Sequence, residues 1–180
     1  MDLVDLIEEK RFLGQEFLTW LWFKSEERGG AIFLPEAGED IQVVFEKHML
    51  LEYGEGEARE NLICRGLLTE LQEARTGLAL GKKLEQARLR LGQGEYEWSL
   101  SFKATLMEFR NVKPPRTMAS SEEGNDPEAV AGRMLEHIGL HGTLVRTMDQ
   151  LYRMFLVLRT GPDWEQELER VRSWVKKGHQ

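Results

Sequence analysis

The hydrophobic period of the chain changes several times, and each change predicts an element. From Phe12 to Ser25 the run FLGQEFLTWLWFKS puts Leu13, Phe17, Trp20, Leu21 and Lys24 on one helical face and Leu18 and Trp22 on the other. A helix apolar on nearly all sides needs neighbours on nearly all sides. It is too short to cross a bilayer, which takes about twenty apolar residues, so it reads as a core helix. Asp2 to Lys10 reads as helical and continuous with it, with Gly14 as a bend and Gly29-Gly30 as the stop.

From Ala31 the pattern alternates. Ile41, Val43 and Phe45 point one way and a second run covers Met49 to Tyr53, which predicts two hairpin strands. Residues 54–60, GEGEARE, read as a polar turn and Leu62 to Cys64 as a short buried strand. A helix is expected from Leu67 to Leu80, with Leu68, Leu71, Ala74, Arg75 and Leu78 at helical spacing and Gly81 as its stop. If Gln93-Gly94 is the turn of the next hairpin, Leu91 faces Tyr96, Leu89 faces Trp98 and Ala87 faces Leu100. The opposite face then sets Gln86, Arg88 and Arg90 against Ser101, Ser99 and Glu97. A further strand is expected from Leu106 to Phe109, and residues 111–126, with adjacent prolines and an acidic serine-rich end, read as a linker.

Asp126-Pro127-Glu128 has the order of a helix start. Beyond it Met134, Ile138, His141, Val145, Met148, Tyr152 and Phe155 form a heptad seam, for packing on the first part of the chain or on a partner. Gly161-Pro162 ends this helix, and Trp164, Leu168, Val171 and Val175 form the buried stripe expected of the last one. The fold class expected is α+β, with an antiparallel or mixed sheet of about five or six strands packed on an aromatic N-terminal helix, and a C-terminal helical pair. Residues 1–110 make the α+β domain, 111–126 the linker, and 127–180 the helical pair.

Charge narrows the partners. The 180 residues carry a formal net charge of −7, which argues against coating nucleic acid or anionic membrane with the whole surface but leaves room for a local basic patch. The single cysteine, Cys64, permits no intramolecular disulfide and fits a reducing compartment. MDLVDLIEEK lacks the basic start and apolar core of a signal peptide, so a cytoplasmic protein without a membrane partner is expected.

Candidate chemistry is sparse. His137 and His141 have a zinc-ligand spacing, but Ile138 stands where a glutamate would follow the first histidine, and no third ligand can be named; no metal or cofactor is assigned. Gly77 to Lys83 is not a phosphate loop, because three residues rather than four separate its glycines, Lys83 replaces the hydroxyl, and the segment ends a helix. No catalytic residue is assigned. Residues 82–116, however, concentrate Lys82, Lys83, Arg88, Arg90, Lys103, Arg110, Lys113 and Arg116 against Glu85, Glu95, Glu97 and Glu108. Such a hairpin face could follow a phosphate backbone without reading bases. The plainer alternative is an Arg90–Glu97 cross-strand pair among solvating lysines.

FLGQEFLTWLWFKSEE at 12–27, EARTGLALGKKLEQARLRLGQGEYEWSLSF at 73–102 and LYRMFLVLRTGPDW at 151–164 together resemble the recombination-associated protein RdgC family, in its divergent members. The resemblance implies a ring-shaped homodimer whose positive inner surface encircles duplex DNA without marked sequence preference and restrains RecA-promoted strand exchange, with no catalytic residue. Carried onto this chain it points to Lys82, Lys83, Arg88 and Arg90 as DNA-facing bases, with Arg75 behind them and Lys103 on the same hairpin. This chain is much shorter than the longer members, so encirclement is not carried over. The expectation is a DNA-binding homodimer, duplex before single strand; the alternative is a non-catalytic adaptor whose heptad seam binds a protein.

Overall fold

The computed structural model describes residues 12–54, 60–65, 68–116 and 126–177. The helix expected over Asp2 to Lys10 lies outside them, as do residues 55–59 of the polar turn. Helix α1 spans Phe12–Glu26. It runs unbroken through Gly14, so that glycine is not a bend. Its missing side chain serves a close approach instead, since a Cβ there would stand 2.1 Å from the carbonyl oxygen of Ala104. A 3-10 turn, Glu27–Gly30, follows, in which Arg28, Gly29 and Gly30 all take positive φ and reverse the chain.

The remaining elements are β1 (Ala31–Leu34), β2 (Glu39–Tyr53), β3 (Glu60–Arg65), α2 (Leu68–Ala79), β4 (Lys83–Gln93), β5 (Tyr96–Lys103), β6 (Glu108–Lys113), α3 (Pro127–Thr160) and α4 (Trp164–Lys177). The strands form one six-stranded sheet in the order β1-β2-β4-β5-β6, with β3 also on β2, and every pair is antiparallel. The fold class is therefore α+β, as expected.

Strand boundaries depart from expectation for identifiable reasons. The two runs at Ile41–Phe45 and Met49–Tyr53 are not a hairpin but one strand, β2. Phe45 pairs with Leu89 and Met49 with Ala87, so Glu46, Lys47 and His48 oppose Arg88 alone, and this bulge breaks the alternation. The antiparallel neighbours of β2 in the chain are β1, on its first residues, and β3, on its last. In the β4–β5 hairpin the turn is Gly94-Glu95 rather than Gln93-Gly94, which pairs Leu91 with Trp98, Leu89 with Leu100 and Ala87 with Phe102. Gly94 takes φ 58° at the first central position, where type II′ turns want glycine. The displacement is by two residues, so every side chain keeps its expected face. Residues Ala104–Met107 are turn, and β6 runs on to Lys113, so the first three residues of the expected linker are strand.

Helix α2 ends as its glycine suggests. Gly81 N donates to Leu78 O and Lys82 N to Gly77 O, the paired bonds of a Schellman motif with Gly81 at positive φ. At the start of α3 the Asp126 side chain makes no cap bond, although Pro127 does open the helix.

The core lies between one face of the sheet and the helices. Phe17, Leu18, Leu21 and Trp22 of α1 are buried together with Ile41, Val43, Leu89, Leu91, Leu100 and Phe102. Each such side chain contributes roughly 1.5–3 kcal/mol on leaving water. Phe155 of α3 sits 5.7 Å from both Phe17 and Trp20, and Trp174 of α4 meets Trp22 edge-on at 5.0 Å. Of the expected heptad seam only Met148 and Phe155 are buried and Tyr152 half-buried, while Met134, Ile138, His141 and Val145 are exposed; the stripe that packs is Leu140, Leu144, Thr147, Met148, Leu151 and Phe155. The expected buried stripe of α4 is half-buried, and Glu167 is the buried residue of that helix.

Candidate nucleic-acid interface

Strand alternation builds the basic face. Ala87, Leu89 and Leu91 turn into the core, so Arg88 and Arg90 turn out, 41% and 45% exposed. Register then carries the pattern across two more strands. Arg90 pairs with Ser99 and Ser99 with Lys113; Arg88 pairs with Ser101 and Ser101 with Arg110; Gln86 pairs with Lys103 and Lys103 with Glu108. Arg88 and Arg110 therefore flank the small Ser101. On β4 and β5 successive rows are two residues apart, about 6.8 Å along the strand, twice the roughly 3.4 Å axial spacing of phosphates on one DNA strand; on β6 a register shift brings Lys113, three residues after Arg110, into the next row.

Carboxylates sit among these bases. Glu46, on the β2 bulge, is 2.7 Å from Arg88 Nε and 3.3 Å from Arg90 Nε, and Glu97 is 3.8 Å from Arg90. Glu97 pairs with Gly92, so its contact with Arg90 is diagonal rather than directly cross-strand. Arg110 donates to Glu108 at 2.7 Å; that hydrogen bond holds the Glu108 carboxyl below its usual range and raises Arg110. Arg88, Arg90, Lys103, Arg110 and Lys113 thus outnumber Glu46, Glu97 and Glu108 on this face.

The other candidate bases lie elsewhere. Arg75 is a clamp inside the helical layer, bonded to Glu26 and lying over the rings of Trp174 at 4.9 Å and Trp22 at 5.9 Å. Lys82 contacts Glu60 at 3.3 Å and lies over Tyr53, and with Lys83 it lines a cleft between α1 and α4. Arg110 and Lys113 belonged to the basic stretch in sequence. Ending the strand at Phe109 concealed that they join the same face.

Away from the sheet, α3 leaves an apolar surface uncovered. Met134, Leu135, Ile138 and Val145 are 62%, 70%, 66% and 51% exposed, and no residue of the helix before Leu140 is buried. His137 and His141 are exposed on this segment, the Nδ1 of His141 donating to the His137 carbonyl at 2.8 Å. Among the described residues no group of three or more His, Cys, Asp or Glu could hold a metal ion. None of the described helices is long and apolar enough to cross a membrane.

No protein-family model, no curated protein and no solved structure matches the chain.

Proposed function

We propose that this chain is a non-catalytic DNA-binding protein that grips the phosphate backbone with the outer face of its sheet, consistent with its resemblance to the RdgC family. The observation that carries the reading is the register that gathers Arg88, Arg90, Lys103, Arg110 and Lys113 from three adjacent strands onto one exposed face. Their glutamate partners are no obstacle, because exposed ion pairs are worth about 0–1 kcal/mol each and phosphate can displace them. Trp98 is buried, so its ring offers no platform for unstacked bases, which favours duplex over single strand.

With four or five phosphate contacts, affinity for duplex should fall roughly 150- to 500-fold between 50 and 200 mM salt. Fluorescence anisotropy on duplex and single-stranded oligonucleotides tests this, comparing wild type with a protein in which Arg88, Arg90, Arg110 and Lys113 are all changed to Ala. Absence of binding at low salt, or an unchanged salt slope in the variant, would reject the interface.

A second reading, an adaptor or homodimer built on α3, rests on the exposed Met134, Leu135, Ile138 and Val145. Large exposed side chains on a helix segment that none of the described residues covers form the sort of surface that a partner helix buries. Sedimentation equilibrium should give a dimer that persists at high salt and becomes monomeric on Met134→Asp with Ile138→Asp. A monomeric wild type would remove self-pairing.

A further inference from the structure

One face of α3 combines apolar side chains with two imidazoles. Val130, Arg133, Met134, His137, Ile138 and His141 line a shallow hollow, and all six come from this helix at spacings of three and four residues. Among the described residues no other element contributes a wall to it.

The hydrogen bond of His141 decides what its ring can do. Its Nδ1 donates to the His137 carbonyl at 2.8 Å, which places the proton on Nδ1 and leaves Nε2 with its lone pair. Metal-binding histidines are oriented by the same kind of bond to a carbonyl. His137, exposed and four residues earlier, stands at the spacing by which two imidazoles reach one ion.

Two ligands are not enough. Zinc takes four in a closed site, no group of three His, Cys, Asp or Glu among the described residues could hold a metal, and the Arg133 guanidinium on the hollow disfavours a cation held by two imidazoles alone. A second copy supplies the rest in kind, because a two-fold axis across the hollow sets the same face against itself and brings two more imidazoles to the ion. The apolar surface is too small to do this unaided. From Val130 to Val145 the face is about 22 Å long and about 10 Å wide, a few hundred Å² a side where a stable interface needs about 800. Apolar contact therefore gives weak pairing, and a shared metal makes it tight.

We infer that α3 carries half of a four-histidine zinc site, completed by the same two histidines of a second copy, so that zinc ties two chains together. The inference rests on the self-pairing reading of α3 and adds the ion that controls it. Sedimentation equilibrium of the full chain, in EDTA and again with zinc chloride, is the test. Zinc should tighten dimerisation at least tenfold, calorimetry should give half an equivalent of zinc per chain, and magnesium, which prefers oxygen ligands, should do nothing. Cobalt(II) in place of the spectroscopically silent zinc should show the intense visible absorption of a tetrahedral ion.

His137→Gln with His141→Gln, both at exposed positions, should keep the melting curve and the association seen in EDTA while losing the response to zinc. A dimer equally tight in EDTA and in zinc would overturn the inference and leave self-pairing standing, whereas a chain monomeric in both would remove the two together. One zinc per chain would also overturn it, assigning the ion to a single copy, and so would a double variant that still responds, assigning it to other ligands.

Discussion

Gly14→Ala should destabilise the fold by about 3 kcal/mol, against the sign of helix propensity. In an open helix the change would stabilise by about 1 kcal/mol. Here the new Cβ would lie 2.1 Å from the Ala104 carbonyl oxygen and 2.8 Å from its carbon, both backbone atoms. To restore ordinary contact, α1 or the turn must retreat by more than 1 Å. Neither moves freely, because Glu85 ties them together. Its carboxylate accepts from Gln15 Nε2 at 2.8 Å and from the Thr105 hydroxyl, while its carbonyl accepts from Ala104 N at 2.7 Å. Glu85 is fully buried, so separating the elements strips donors from a buried carboxylate. Overpacking costs about 1–3 kcal/mol and a hydrogen bond to a charged group about 1.5–3, which outweighs the propensity gain. For a chain of this size that is a fall in Tm of roughly 6–12 °C, read by denaturant and thermal unfolding. A variant as stable as wild type would refute the contact. Gly77→Ala is the control: its Cβ would meet side-chain ends, the Cδ2 atoms of Leu62 and Leu51 at 3.0 and 3.1 Å and Lys82 Cδ at 3.5 Å, and stability should stay within about 1 kcal/mol.

Burial pushes the Glu167 carboxyl up, but bonds and charge from Lys24, with Trp20 and Arg170, outweigh it and leave the group below its usual 4.5. Its stabilisation is therefore complete above the unfolded value and lost as pH falls through the folded one. Glu167→Gln should destabilise by about 2 kcal/mol at pH 7, less than a fully buried pair would give, and urea unfolding from pH 7 to 3 should show the gap closing; a constant gap would refute the linkage. Arg75→Ala, which removes the clamp between Glu26, Trp22 and Trp174, should lose about 2–3 kcal/mol, and Arg75→Lys should recover only part of it, since lysine lacks the planar group; unfolding curves measure both. Ile138→Glu should alter monomer stability by no more than about 0.5 kcal/mol, and a larger loss in thermal melts would mean that this face is covered within the chain.

Much of the architecture was legible because period and burial agree. The aromatic helix was recognisable from Phe17 to Phe23, where every face carries a large side chain but for Thr19. The faces of β4 and β5 were legible although the turn was misplaced, since sliding a hairpin by two residues preserves parity. The β2 bulge was not, because Glu46, Lys47 and His48 look like a turn until Arg88 is known to lie opposite. Nor was the true stripe of α3: Leu140, Leu144 and Leu151 lie one residue before the chosen seam positions His141, Val145 and Tyr152, and only the neighbours of a helix decide which of two adjacent apolar rows is inside. The candidate site was half legible. Arg88 and Arg90 follow from alternation, but Arg110 and Lys113 require the β5–β6 register, and the capture of Arg75 by Glu26 and two tryptophans is a tertiary event with no local signal.

The position of β2 also fixes the order in which a growing chain can protect itself. Its second edge is closed only by β4, which pairs Glu52 with Lys83 and Gln42 with Gly92. At about 5–20 residues per second, roughly two to eight seconds separate the emergence of Tyr53 from that of Gln93. Through that interval one edge of a fifteen-residue strand stands open, and the α1 aromatics have only the β1–β2–β3 part of the sheet to cover. Glu39, Asp40, Glu46, Lys47 and Glu52 interrupt the apolar run on the emerging strand and act as its safeguard. A nascent chain halted before Gln93 is thus the species that chaperones must hold, and one extended through β5 already has the partner that closes the sheet.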